Sequence, residues 1–305
     1  MILVNRKLFI FLLFIFISCQ NNLEQYSIDG YTQGTTYVIK YNHVDGIVNK
    51  SVIDSLLLNI DLSMSSYIDS SLISRINQGH DTILDSLITT VLTKSIEICH
   101  QTGGMFDVTI APWVNYWGFG PDNRRNPNFK RNLLPSTVLG CDQIKIQNNR
   151  LIKSDVISID LNGIAQGWIT DKITSLLIKN GFSNTLVDFG ENYAAGLYEE
   201  KRNWNILIQG NKANKVISLS NKAIATSAGH GTIFEPTKKY HHIFNPKTGL
   251  SESSYDTVSI VSNKAWIADS IATSALLISD KNLEMVCNEF NANAFVMKNN
   301  SFLKI

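Results

Sequence analysis

The sequence lacks an excess of charge of either sign. Its 27 Lys and Arg stand against 26 Asp and Glu, a net charge of +1. This excludes the basic stripe of a nucleic-acid binder, and nothing marks a polybasic membrane surface. Cysteine is scarce: Cys19, Cys99, Cys141 and Cys287 are all there is. None has CxxC or metal-ligand spacing, so no zinc site is indicated. Cys19 belongs to a separate N-terminal signal. The other three are odd in number and far apart, so no disulfide framework is expected. Each reads as a buried small hydrophobe. GxSxG, HExxH and P-loop signatures do not occur, nor does GxGxxG, so a dinucleotide fold of that type is unsupported. Internal repeats, linkers and low-complexity segments are absent too.

The longest feature of the N-terminus is an apolar run at 8–17 behind Arg6 and Lys7. At about ten residues it has the length of a signal h-region, too short for a span. Ser18-Cys19 and a polar Gln20-Asn21-Asn22 follow. A small residue directly before Cys at the end of such a run resembles a bacterial lipoprotein signal, although Phe16 stands where leucine is usual. Three segments are therefore expected: a signal at 1–19, a tether at 20–29 and one domain at 30–305. The resemblance implies export, with a lipid on Cys19 holding the protein to the periplasmic side of a membrane.

The remaining chain is 44% hydrophobic over 305 residues, enough for a substantial core. Helical spacing occurs at 51–63, 84–100 and 263–279. Strand-like runs occur at 35–41, 204–209, 216–219, 223–226 and 256–262. Residues 294–297 and 302–305 flank Asn299-Asn300 as a terminal hairpin, and Asp280 is a candidate cap for the helix before it. Residues 157–190 read as strand, tight turn, helix, strand, with Asp160 at the end of the first strand and bare backbone at Gly163. Strands and helices mix without strict alternation, which predicts an α+β fold.

Four places carry candidate chemistry. The helix N-terminus at Asn162-Gly163 suits a phosphate, and Asp160 beside it suits a cation or a sugar hydroxyl. Asp269 and Thr273, four apart on a predicted helix, share a face. They fit either a hard-oxygen ligand pair for Mg²⁺ or a buried Asp bonding a Thr without metal. Residues 102–121 combine two Trp, Phe106, Tyr116, Phe119 and four Gly. Such a stretch fits an aromatic core loop, or a pocket for a flat ring. His241 and His242 are adjacent, so an extended backbone points one inward and one outward.

Six blocks, in order, resemble the ApbE family of exported FAD-dependent flavin transferases. They are GTTY at 34–37, SSYIDSSLISRIN at 65–77, GGMFDVTIAPWVNYWGFGP at 103–121, SIDLNGIAQGWITDKI at 158–173, ATSAG with HHIFNPKTG, and ADSIATSALL. The resemblance covers about residues 30–279 and implies a single ApbE-like, T-fold-related domain. It implies transfer of FMN from FAD to a Ser or Thr hydroxyl of a partner protein, with Mg²⁺ required and AMP released. The acceptor it suggests is a subunit of a membrane electron-transport complex. By the same resemblance Gln33, Tyr67, Met105, Phe106, Asp107, Asp160, Gln166 and Phe244 fall at FAD-contact positions. Asp269, Thr273 and the carbonyl of Gly163 fall at the metal positions, and His242 is the candidate for proton transfer. Gln33 and Gln166 stand where the family commonly has Met and Lys, and Asn245 where it has Asp. A FAD pyrophosphatase and a non-catalytic flavin-binding lipoprotein are the competing expectations on this scaffold.

Overall fold

The computed structural model describes residues 25–42, 46–80, 83–121, 139–210, 213–229 and 241–305. The expected signal at 1–19 and the polar stretch at 122–135 lie outside these residues. The chain begins with a hairpin, β1 (Gln25–Thr32) and β2 (Thr35–Asn42). Its turn residues Gln33 and Gly34 both have positive φ, 53° and 75°, as a two-residue hairpin turn requires. Residues 25–29, expected as tether, therefore belong to an edge strand. Next come α1 (Lys50–Met64), α2 (Leu72–Asn77), α3 (Ser86–Gln101) and α4 (Ala111–Tyr116). A small hairpin, β3 (Lys145–Gln147) and β4 (Arg150–Ile152), precedes α5 (Asn162–Lys179). The second half runs β5 (Thr185–Phe189), β6 (Glu191–Ala195), β7 (Trp204–Gln209), β8 (Asn214–Leu219), β9 (Lys222–Ala228) and β10 (Thr257–Ser262). It closes with α6 (Ala265–Ala275), α7 (Asp280–Glu289), β11 (Asn293–Lys298) and β12 (Ser301–Lys304). The fold is α+β, as expected.

Eight strands form one antiparallel sheet in the order β1-β2-β5-β6-β9-β10-β11-β12. Its two faces pack differently because alternate residues point opposite ways. Ala225 and Ile260 join the main core with Ile164, Trp168 and Ile271 from α5 and α6. Their neighbours Ile224 and Val261 join a second cluster with Trp204, Ile208 and Leu219 of the β7–β8 hairpin. β10, covered on both faces, has all six residues buried. On the helical side α1 and α3 lie outside α5 and α6. The α5–α6 pair is thus enclosed between the sheet and an outer helical layer.

Three expectations are corrected here. Residues 156–161 are not a strand: Ile159 N–H donates to Asn77 Oδ1 at 2.7 Å and its carbonyl accepts from Asn77 Nδ2 at 2.8 Å. Asp160 N–H donates to the Val108 carbonyl at 2.8 Å. A side chain and a loop carbonyl replace the neighbouring strand, so the segment is extended without a ladder. Asp280 is the first residue of α7, and Ser279 caps it, accepting from Asn282 N–H. Finally, Cys99 and Cys141 form a disulfide, with Cα atoms 6.3 Å apart. The 42 residues separating them hid the pairing, because the fold brings the end of α3 back against the turn at Cys141. Cys287 is the buried free thiol that was expected.

Candidate active site

The site is built where α5 begins beside α6. Gly167 lets the two backbones meet: a Cβ there would lie 2.4 Å from the Ala265 carbonyl oxygen and 2.8 Å from Asp269 Cβ. Gly167 N–H donates to Asp269 Oδ2 at 2.9 Å. One turn earlier, a Cβ on Gly163 would lie 3.3 Å from Thr273 Oγ1 and 3.2 Å from the Phe106 ring. Gly163, Asp269, Thr273 and Phe106 therefore form one cluster, although 167 positions of sequence separate the first and last of them in chain order from Phe106 to Thr273. The Asp269 carboxylate bonds backbone, not Thr273, so the reading of a simple Asp–Thr pair fails.

Asp171 completes the α5–α6 join, accepting from Trp266 N–H at 3.1 Å in the first turn of α6, which has no side-chain cap of its own. Burial raises Asp171 to about 6, against the pull of these N–H groups. Asp171 lies near the end of the 158–173 block, and its role was not anticipated. Neither was that of Glu191, at the start of β6. Glu191 is buried, and its Oε2 accepts from Thr226 N–H at 3.2 Å. Burial first, and then the negative charge of Asp269, push Glu191 well above the usual carboxylate range. Burial raises Asp269 to about 7, opposed by the Gly167 N–H. No sequence period marks Glu191, because it pairs with α6 only through the sheet order.

The remaining expected residues fall into three groups. Asp160 leads into α5, accepting from Asn162 N–H at 2.9 Å, and burial lifts its carboxyl to about 6. Asp160 thus holds the first amide of α5, and Ile164 and Ala165 N–H donate to the Leu161 carbonyl at 3.0 and 2.9 Å, so what the start of α5 offers an anion is its positive end. Tyr67, 59% exposed, donates to the Phe119 carbonyl at 3.2 Å, and burial, then the charge of Asp160, raise its phenol. Asp107 is used locally, with Thr109 N–H and Oγ1 both donating to its Oδ1 at 2.8 Å. Met105 packs at the edge of the core and Phe106 within it. Gln166 lies one turn into α5 against Gly190, whose added Cβ would be 3.0 Å from Gln166 Oε1. Gln33 stands apart at the β1–β2 turn, where its side chain reaches Asp61.

An aromatic wall organises the last group. Phe244 stacks on Trp117 with ring centres 5.7 Å apart and planes 3° from parallel. Trp113 Nε1–H donates to the Pro246 carbonyl at 3.3 Å and Trp117 Nε1–H to the Gly249 carbonyl at 2.8 Å. Residues 103–121 thereby clamp the Asn-Pro-Lys-Thr-Gly turn. Gly249, at φ 67°, fits directly under Trp113, whose ring atoms lie 2.6 Å from the site of any Cβ. His241 is buried, its Nδ1 accepting from Ile243 N–H at 3.2 Å, and burial, then the neighbouring His242, lower it to about 4. His242 is exposed with its ring 6.3 Å from that of Phe119. The alternation expected of the pair is present: His241 serves the fold, and His242 faces outward beside the aromatic wall.

The donor types fit a small hard cation: one carboxylate, one hydroxyl and the backbone carbonyl of Gly163, where a Cβ would press at 3.2–3.3 Å on Phe106 and Thr273. A family model described as the ApbE family matches residues 33–296. The chain belongs to the ApbE family. Its relatives include the FAD:protein FMN transferase of Vibrio cholerae, 30% identical over 287 residues, covering 88% of this chain and 86% of that protein. That of Haemophilus influenzae is 30% identical over 321 residues, covering 94% and 93%. Among solved structures, the flavin transferase ApbE from Vibrio cholerae superposes with a TM-score of 0.80 at 28% identity, covering 93% of this chain and 97% of that one. The apo flavinyl transferase ApbE of Pseudomonas stutzeri gives 0.80 at 25% identity, covering 93% and 94%. Within this ApbE-family chain the two blocks at 158–173 and 265–275 meet along the α5–α6 contact.

Proposed function

We propose that this protein is a Mg²⁺-dependent FAD:protein FMN transferase that attaches FMN through a phosphoester to a Ser or Thr hydroxyl of an acceptor protein. The observation that carries the reading is the convergence of Gly163, Asp269 and Thr273 at the start of α5. The names of the relatives point the same way. The Gly163 carbonyl, the Asp269 carboxylate and the Thr273 hydroxyl would hold the cation, which would supply charge neutralisation for the diphosphate of FAD. The positive end of α5 attracts the phosphates. The buried Phe244–Trp117 stack backs the flavin side of the site, and Tyr67, Met105 and Asp160 line the approach. The acceptor oxygen attacks the FMN phosphorus, His242 takes its proton, and the bond to AMP breaks.

Export fits the same reading. A disulfide persists in an oxidising compartment and is rare in a reduced cytosol, and Cys99–Cys141 is such a bond. With a lipid on Cys19, the enzyme would meet acceptor domains of membrane electron-transport subunits from the periplasmic side.

The test is incubation of the purified protein with FAD and Mg²⁺, with and without a Ser- or Thr-bearing acceptor domain. Mass spectrometry reads FMN addition, and chromatography reads AMP. AMP formed only with acceptor, together with acceptor gaining the mass of FMN, is the expected result. AMP without acceptor identifies a pyrophosphatase, and tight FAD binding without turnover identifies a flavin carrier.

A further inference from the structure

We infer that the Cys99–Cys141 disulfide is a positioning element for residues 103–107, the flavin-contact segment, so that full affinity for FAD requires the oxidised protein. The inference rests on the functional reading above for the role of that segment, and on independent geometry for the coupling.

Both ends of the bond connect to the segment through hydrogen bonds. On the Cys99 side, the Cys99 carbonyl accepts from Gly104 N–H at 2.8 Å and from Thr102 Oγ1 at 3.2 Å. Thr102 Oγ1 in turn accepts from Phe106 N–H at 3.0 Å. On the Cys141 side, Gly140 N–H donates to Thr109 Oγ1 at 2.9 Å, and Thr109 donates through both N–H and Oγ1 to Asp107. The segment is thus held at Gly104, Phe106 and Asp107 by partners lying within two residues of one cysteine or the other, or bonded directly to such a partner. The disulfide is what makes these two sets of partners a single rigid frame.

Packing anchors Phe106 in the core but leaves the two glycines before it without side-chain contacts. Gly103 and Gly104, at φ 61° and 80°, have open space where a side chain would be. The same two glycines and Asp107 border a cavity of about 500 Å³ that Cys99, Cys141 and Lys247 also line. The one non-covalent link across the join among the described residues that bears charge is His100 Nε2 to Asp142 Oδ1 at 3.0 Å, and both side chains are exposed. An exposed pair of this kind holds weakly. Cys141 also lies near His100 and Asp142 in a grouping that resembles a metal site. Its sulfur is bonded to Cys99, so the grouping is a crosslink with an exposed ion pair beside it.

The frame reaches the cation cluster through one residue. Phe106, whose N–H is held by Thr102, has its ring against Gly163. Asp269 and Gly167 receive nothing from it directly. Loosening the frame should therefore raise the FAD concentration required and spare the chemical step.

The experiment compares the oxidised native protein, the same protein reduced by a phosphine, and Cys99→Ser/Cys141→Ser. Reduction delivers two electrons, and two protons convert the disulfide to two thiols. Titration of FAD by flavin fluorescence, KM and kcat at saturating acceptor, and amide hydrogen exchange are read in each. The expected result is a dissociation constant and KM for FAD raised about tenfold with kcat within about twofold. Exchange at 104–107 should accelerate while the amides of α5 and α6 are unchanged. If the double variant does not fold, the phosphine-reduced native protein, assayed well below its melting temperature, decides the question. A lower melting temperature with unchanged FAD affinity and unchanged exchange at 104–107 would show a purely structural bond and overturn the inference. Failure of the oxidised native protein to bind FAD would overturn the functional reading itself.

Discussion

Gly167 donates its backbone N–H to the Asp269 carboxylate at 2.9 Å across the closest approach of α5 and α6. The bond orients the carboxylate from one side, with the Thr273 hydroxyl one turn further along the same helix face. A buried carboxylate normally needs a cation or a proton. Here a second buried carboxylate, Glu191, adds negative charge. Burial and the charge of Asp269 push Glu191 towards its protonated form, and on the proposed reading a divalent cation would balance this charge instead.

Asp269→Asn keeps an oxygen for Gly167 N–H and removes the charge. Mn²⁺ binding, followed by electron paramagnetic resonance, is expected to weaken by at least about 100-fold. Transfer should fall below detection with the circular dichroism spectrum unchanged. Native metal affinity in this variant would remove Asp269 from the ligand set.

Gly167→Ala tests the close approach. The added Cβ would fall 2.4 Å from the Ala265 carbonyl oxygen, which is backbone and cannot rotate away. The helices must separate, at about 1–3 kcal/mol of stability. Urea unfolding should show that loss, and Mn²⁺ titration should show weaker binding, because Gly163 moves away from Thr273. Unchanged stability would mean that α5 and α6 are not packed as described.

The pH dependence of stability follows from the raised carboxyls. Asp269 titrates near 7 in the folded protein against 3.8 unfolded. Between these values the folded state binds the extra proton, so stability of the metal-free protein falls as pH rises from about 4 to 7. Glu191, pushed up as well, adds to the same slope. Mg²⁺ binds the ionised form, so its stabilising effect should grow over this window. Melting temperatures measured from pH 5 to 8 with and without Mg²⁺ should diverge, and parallel curves would contradict the assignment.

His242→Ala should lower kcat by about 10²–10⁴-fold and leave FAD affinity near native, as expected for removal of a proton acceptor. Imidazole added at millimolar concentration should restore part of the rate. The neighbouring His241→Ala should act on stability instead, because His241 is buried and its Nδ1 accepts from Ile243 N–H. A pattern in which His241→Ala alone removes turnover would exchange the two roles.

Much of the fold could be read along the chain. The apolar spacing at 51–63 and 84–100 became α1 and α3, and the alternation at 204–209 became β7. These signals are local: a helix or strand with one apolar face repeats it every 3.6 or 2 residues. The run at 156–161 has the same alternation and still forms no strand, because the partner it meets is the Asn77 side chain. Periodicity reports which side is buried, not what lies against it.

The residue types of the site were also local knowledge. Asp269 and Thr273 share a helix face at any tertiary arrangement, and Gly163 follows an Asp-Leu-Asn lead into α5 whatever packs beside it. Their meeting was decided by the sheet order and by Gly167, which allows two backbones to touch that are 102 residues apart at their hydrogen bond. The Cys99–Cys141 bond and the Glu191–Asp269 encounter belong to the same class. Each joins residues with no shared period, so only the folded chain, which sets distance through packing and not through spacing, brings them together.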